Sequence, residues 1–335
     1  MAYTTINKPS DYFNTKLYTG TGSSNAITGV GHQPDFTWIK SRNNGSNNNH
    51  MLFDAVRGAT KYIKTDANSA ENTLAETLKS FNSDGFTVGT QGDVNQNSIN
   101  FASWNWKAGG AGSANTDGSI TSTVSANTTS GFSVVSYTGT GSSSTTGHGL
   151  NSAPEIMISK SRTAIQNWSV HTTLIDGSLD YLVLNDVNAI ADSSFTVPTS
   201  TVIPTRVGSD YISYNFHSVK GFSKMGTYIG NGNADGPFIY TGFKPAWVMI
   251  KRTDITNNWI ILDNKRDTDN PNNVELQANS SNAEDTANIR FDMLSNGWKT
   301  RATTAANNAS GGSYIYMAFA EAPLVGTNNI PCAAR

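Results

Sequence analysis

The groups that could do chemistry in this chain are three glycine-rich strings, five histidines, one acidic loop and seven tryptophans. The strings are Tyr18-Thr19-Gly20-Thr21-Gly22, Tyr137-Thr138-Gly139-Thr140-Gly141 and Tyr228-Ile229-Gly230-Asn231-Gly232. Exposed amides of such strings hold phosphate when a helix follows and aims its N-terminal N–H groups at the anion. Here Pro34, Pro154 and Pro245 follow, each ahead of an apolar strand-like run, so the strings are expected to be hairpins or loops. His32 and His148 flank the first two strings, but Phe243 stands near the matching place in the third. A metal or catalytic role does not fit a position that an apolar residue can fill. His32, His50, His148, His171 and His217 are therefore expected at the surface or at interfaces.

The acidic loop Asp263-Asn264-Lys265-Arg266-Asp267-Thr268-Asp269-Asn270 could gather oxygen ligands for Ca²⁺. It lacks the glycine and the terminal bidentate glutamate of an EF-hand, and Lys265 and Arg266 oppose a cation, so a solvated turn is expected. No Gly-x-Ser-x-Gly elbow occurs, and nothing singles out a glycosidase carboxylate pair. No catalytic, cofactor-binding or metal-ligating residue is assigned, an enzyme is not expected, and the binding residues are unknown. Trp38, Trp104, Trp106, Trp168, Trp247, Trp259 and Trp298 are of the type that stacks on sugar rings. Most sit in apolar strand-like runs, several at matching positions, which predicts core packing. The pairs Lys40/Arg42, Lys160/Arg162 and Lys251/Arg252 each end such a run. A solvated, charge-protected strand end is expected, with an ion pair to another molecule as the sharper alternative.

These groups hang on a repeat. Six residues separate Pro34 from Lys40, Pro154 from Lys160 and Pro245 from Lys251. Each copy closes alike, on Phe101-Ala102-Ser103-Trp104-Asn105-Trp106, Tyr211-Ile212-Ser213-Tyr214-Asn215-Phe216 and Tyr314-Ile315-Tyr316-Met317-Ala318-Phe319. The period of two is that of half-buried strands. Met51-Leu52-Phe53, Tyr181-Leu182-Val183-Leu184 and Trp259-Ile260-Ile261-Leu262 add a strand apiece. Copies one and three also share Ala70-Glu71-Asn72-Thr73 and Ala283-Glu284-Asp285-Thr286, ahead of the turn pairs Asp84-Gly85 and Asn296-Gly297. One short helix is expected over Ser69–Leu78, with Asn68 and Glu71 at capping-box spacing.

The predicted fold is all-β, with three tandem, diverged β-sandwich repeats. The expected organisation is an N-terminal arm (1–15), repeat 1 (16–107), a Gly/Ser/Thr-rich linker (108–130), repeat 2 (131–222), repeat 3 (223–324) and a C-terminal tail (325–335). Copies two and three, with no such linker between them, are expected to pack as a pair.

Composition narrows the class. Charged residues make up 14%, against about 25% in typical soluble domains, so the surface is built from Asn, Ser, Thr and Gly as in many extracellular and virion β-proteins. The net charge of −2 and scattered basic residues argue against nucleic acid. A lone Cys332 excludes an internal disulfide, and the first residues lack the pattern of a signal peptide. No apolar run is long enough for a membrane span.

The string Gly29-Val30-Gly31-His32-Gln33-Pro34-Asp35-Phe36-Thr37-Trp38-Ile39-Lys40, with Leu52-Phe53-Asp54-Ala55-Val56-Arg57-Gly58, resembles the repeated modules of tailed-phage virion proteins abundant in marine phages. Ala246-Trp247-Val248-Met249-Ile250-Lys251-Arg252-Thr253 and Ala318-Phe319-Ala320-Glu321 are similar to the C-terminal module of the same group. Copy two departs most, lacking the Asp-Gly hairpin and the Phe-Asp-x-x-Arg-Gly string. The resemblance implies a virion role and a jelly-roll or lectin-like form for each sandwich, and carries over no catalytic or ligand residues. With no signal-peptide pattern at the start of the chain, synthesis in the host cytoplasm is expected. The expected function is a structural protein of the tail or its fibres that contributes to host-surface attachment. The alternatives are a capsid decoration or head-fibre protein and, less favoured, a carbohydrate-binding module. Expected partners are other virion proteins, further copies of the chain (a trimer in fibres) and a host-surface glycan or protein, with no cofactor, nucleic acid or membrane insertion.

Overall fold

The computed structural model describes residues 3–44, 48–288, 290–326 and 330. Cys332, and with it most of the expected tail, lies outside the described residues. The fold is all-β and every sheet is antiparallel. In the first third, Phe13–Thr19 pairs with Asn100–Trp106, which pairs with Phe36–Ser41, followed by Met51–Asp54 and Lys61–Lys64. The middle third repeats this order with Phe132–Thr138, Asp210–Phe216, Ile156–Ser161, Ser169–Thr172 and Asp180–Val183. The last third repeats it with Ser223–Ile229, Ser313–Pro323, Phe243–Arg252, Trp259–Asp263 and Leu276–Gln277. In each, the chain's opening and closing strands lie side by side, so the strand that ends one third leads directly into the next.

Registers fix which residues correspond. Phe36, Ile156 and Trp247 face Trp106, Phe216 and Phe319 respectively. These last three meet: Trp106 lies 5.6 Å from Phe319 and 6.4 Å from Phe216, and Phe216 lies 5.9 Å from Phe319. These three side chains, at the same register position of their sheets, bring the three sheets together at one point. One apolar cluster around them draws on all three sheets, including Trp38, Trp104, Trp168, Trp247 and Trp259. Burying large aromatic faces against one another is the main drive for this association. The other face of the first and last sheets is covered by a three-stranded sheet, built on Asn25–Thr28 and on Phe238–Tyr240.

Three local expectations are corrected. The segment from Ser69 forms no helix; it runs extended through Asn72–Thr73 and turns into the strand Leu78–Asn82, because its Glu71 bonds to the middle third. The stretch 108–130 carries the strands Ser113–Asn115 and Ser122–Asn127, which extend the middle sheet at its edge. The middle third packs against both others rather than against the last alone.

Candidate functional site

The loop amides of the first and third glycine-rich strings are already bonded within the chain. In the first, Gly22 N–H bonds to the Asn95 carbonyl and Thr21 N–H to the Asn95 side chain at 2.9 Å. In the third, Gly232 N–H bonds to the Asn308 carbonyl and Asn231 N–H to its side chain, again at 2.9 Å. Both asparagines are fully buried. Gly29 and Gly31 aim their N–H groups at the Asp84 carboxylate, at 2.9 and 2.6 Å. The first and third strings are closed loops, as their prolines and following strands indicated, and in the second the Gly139 N–H bonds to Ser209 O.

Four of the five histidines are buried rather than exposed. His50 occupies the place that Trp168 and Trp259 take in the other thirds. Each of the three rings reaches the same backbone carbonyl of a neighbouring third. His50 Nε2 lies 3.0 Å from Gln277 O, Trp168 Nε1 donates to Lys64 O at 2.8 Å, and Trp259 Nε1 donates to Val183 O at 2.8 Å. The links run first to last, middle to first and last to middle, closing a ring. Trp38 Nε1 donates to His50 Nδ1 at 2.8 Å, which leaves the proton of the neutral imidazole on Nε2. Burial pushes this imidazole well below its ordinary pKa, and Lys40 pushes it the same way. His32 is held by Ser10 O and His148 by Thr199 O. All seven tryptophans are buried, as expected.

The acidic loop is no solvated turn at its start. Asp263 is buried and accepts from Arg266 Nε at 2.6 Å and from Trp104 Nε1 of the first third at 2.9 Å. Asp54 and Arg57 reproduce this pair, with Tyr214 of the middle third donating to Asp54 at 2.8 Å. Arg57 and Arg266 each continue to a glutamate at 3.3 Å, Glu71 and Glu284. Those glutamates receive a second arginine: Arg162 of the middle third reaches Glu71 at 2.9 Å, and Arg42 of the first reaches Glu284 at 2.7 Å. Burial opposes ionisation of Glu71, yet Arg162 and Arg57 hold it below the ordinary carboxylate range. Arg42 and Arg162 therefore clasp neighbouring thirds, whereas Arg252 pairs with Asp254 of its own third at 2.8 Å. Between middle and last thirds the whole set is absent. Thr172, Ile175, Ile190, Thr253 and Met317 stand in the corresponding places, and the backbone bond from Ile190 N–H to Thr253 O remains.

Lys40, Lys160 and Lys251, expected at solvated strand ends, are fully buried. Their ammonium groups donate to backbone carbonyls, including Ser281 O across to the last third for Lys40 and Val187 O across to the middle third for Lys251. Burial brings each from the ordinary 10.5 down to about 8. Among the described residues no group of three or more His, Cys, Asp or Glu is placed to hold a metal ion.

Open space with free polar groups lies elsewhere. A cleft of about 560 Å³ between the first and last thirds is lined by Asn14, Lys16, Lys265 and Glu321. Glu321 is already paired with Lys244 at 2.8 Å. A larger cleft, about 650 Å³, lies wholly within the middle third. Ser169 and His171 form its floor, and Tyr181, Asp192, Phe195 and Arg206 its rim. The His171 ring lies 5.7 Å from Phe195 and 6.1 Å from Tyr181, and burial lowers its pKa to about 4. Arg206 is hydrogen-bonded to Ser169 Oγ, with its guanidinium over the Tyr211 ring. Tyr181 is 38% exposed. Sequence reasoning missed this cleft, although the absence of the Asp-Gly hairpin from copy two was its signal.

Residues 8–323 match the family described as "Domain of unknown function (DUF7483)". No curated protein and no solved structure matches the chain.

Proposed function

The chain belongs to the DUF7483 family, and we propose that it is a structural protein of a phage virion, carried on the tail or its fibres and contributing to host-surface attachment. On this reading the three thirds are diverged copies of one lectin-like sandwich. One observation carries the proposal most of the way. The groups with the most chemical potential, His50, the two Asp–Arg pairs, both glutamates, Lys40 and Lys251, are engaged in holding the thirds together. Such an arrangement suits a rigid building block, whose surface loops are free to meet a partner. The low charge and the motif strings of repeats one and three support the same reading. No helix among the described residues is long and apolar enough to cross a membrane.

The test is a cryo-EM map of the intact particle with this chain placed in density. Density at the tail or fibre tips, in a rotationally symmetric homo-oligomer, is the expected result. Density spread over the capsid lattice would replace attachment with decoration of the shell, and absence from the particle would overturn both.

A further inference from the structure

The three thirds serve as controls for one another, and on the outward face of the main sheet the middle one departs from the other two. In the first third, Ile39, Met51 and Phe53 line the outward face of the main sheet and pack under the covering hairpin, against Leu78 and Phe86. In the last third, Ile250, Ile260 and Leu262 occupy the same register positions and pack beneath Phe291 and Trp298. In the middle third these positions hold Ser159, Ser169 and His171. The covering hairpin is reduced there to the strand Val202–Pro204, with no counterpart of Leu78–Asn82 or Phe291–Leu294.

Removal of a cover alone would leave an apolar floor exposed, which folded chains avoid. The floor has instead become polar, so the opening is built in rather than left over. The 650 Å³ cleft described above is this vacated space, and its size falls in the range of about 300–1,000 Å³ usual for small-molecule sites.

We propose that this cleft binds a short neutral saccharide. A pyranose offers one apolar C–H face and a rim of hydroxyls. The matching surface needs an accessible aromatic ring beside polar groups that are not already paired. Tyr181 supplies the ring, 38% exposed. The side chains of Tyr181, Asn188, Asp192 and Ser194 line the cleft and form no hydrogen bond with the described residues. A charged sugar fits less well. Arg206 and Asp192 put one charge of each sign on the rim, so neither an anionic nor a cationic sugar meets a cleft of one opposite charge. The inference rests on the attachment reading and names its ligand class.

The experiment is saturation-transfer NMR on the purified full chain with glucose, galactose, mannose, N-acetylglucosamine and their disaccharides. The expected result is binding of at least one sugar with a dissociation constant near 1 mM, about 4 kcal/mol. Tyr181→Ala and Asp192→Ala should each weaken it about tenfold or more, about 1.4 kcal/mol, whereas Tyr62→Ala, at the corresponding place in the first third, should leave it unchanged. Both changed side chains in the cleft are exposed, so the variants should unfold at the parent temperature, and that is checked alongside. No binding by any sugar of the panel overturns the inference, as does binding that survives Tyr181→Ala. Because the chain is measured free of particles, failure here leaves its place on a virion untouched, and absence from virions leaves sugar binding untouched.

Discussion

Trp104 donates its indole N–H to the carboxylate of Asp263 at 2.9 Å, from the closing strand of the first third to a strand of the last. The same carboxylate holds Arg266, whose other nitrogens reach Ile261 O and Glu284. Removing one member of a buried ion pair costs about 3–5 kcal/mol when the other is left without a partner. Arg266 and Arg57 keep Glu284 and Glu71 at 3.3 Å, so Asp263→Ala and Asp54→Ala should each lower the urea unfolding free energy by about 3 kcal/mol, the lower end of that range. Trp104→Phe removes the indole N–H donor and leaves a cavity in place of the second ring at a fully buried site, and should cost about 2–4 kcal/mol. A change below about 0.5 kcal/mol in Asp263→Ala would mean that the interface does not depend on the pair.

The third interface predicts a rescue. Between middle and last thirds, Thr172, Ile175, Ile190, Thr253 and Met317 replace the acid, the two arginines, the glutamate and the donor ring together. Transplanting that set onto the first–middle interface (Asp54→Thr, Arg57→Ile, Glu71→Ile, Arg162→Thr, Tyr214→Met) removes every charge at once. The five-fold variant should be more stable than Asp54→Ala alone, because no charge is left buried without a partner. Thermal melts of the two proteins decide it; a five-fold variant that melts below Asp54→Ala would show that the groups contribute independently.

Much of this was legible beforehand, and the physical reason is periodicity. The closing strands at Trp104, Tyr214 and Met317 announce themselves by alternation, and the tryptophans by the apolar runs that hold them. What alternation cannot convey is which face meets another third. Lys40 and Arg42 end a strand, and a strand end in isolation is solvated. Only the neighbouring Ser281 carbonyl and Glu284 make it an interior. Glu71 and Glu284 were visible as a string shared by copies one and three. Their partners lie in other copies, beyond the reach of local spacing, and a short helix was the best local use of Ser69–Leu78. The cleft was hidden for the opposite reason: it follows from a strand that is missing.

The buried lysines predict stability that rises with alkalinity. Each has a folded pKa near 8, against the ordinary 10.5. Below pH 8 both folded and unfolded chains carry the proton, and the burial penalty is present in full. Between pH 8 and 10 the folded chain releases protons that the unfolded chain keeps, so unfolding becomes harder as pH rises. Above pH 10 the buried tyrosines Tyr18, Tyr214 and Tyr228, whose pKa values burial raises, reverse the trend. Urea midpoints should climb from pH 7.5 to 10, and Lys40→Met should remove on the order of 2 kcal/mol of that climb. A parallel pair of curves would contradict the assignment.

Acid acts on the histidines with the opposite consequence for the folded chain. The His171 pKa is lowered from 6.5 to about 4 by burial and then by the Arg206 charge, and burial also lowers His32, His50 and His148. As pH falls from 6.5 to 4 the unfolded chain takes up protons that the folded chain refuses, so stability is lost across that window. Asp35, Asp66 and Glu275, raised by burial, work against this trend near its acid end, which makes the bulk curve a poor readout. The difference between wild type and His171→Leu isolates one group. Leucine is the residue at the corresponding place in the last third, Leu262, so the change is compatible with the sheet. Wild type should lose about 2 kcal/mol more than the variant between pH 7 and 4.5, measured by urea unfolding at each pH. If both lose the same amount, His171 titrates in the folded chain as it does in the unfolded one, and the floor of the cleft is wetter than its burial indicates.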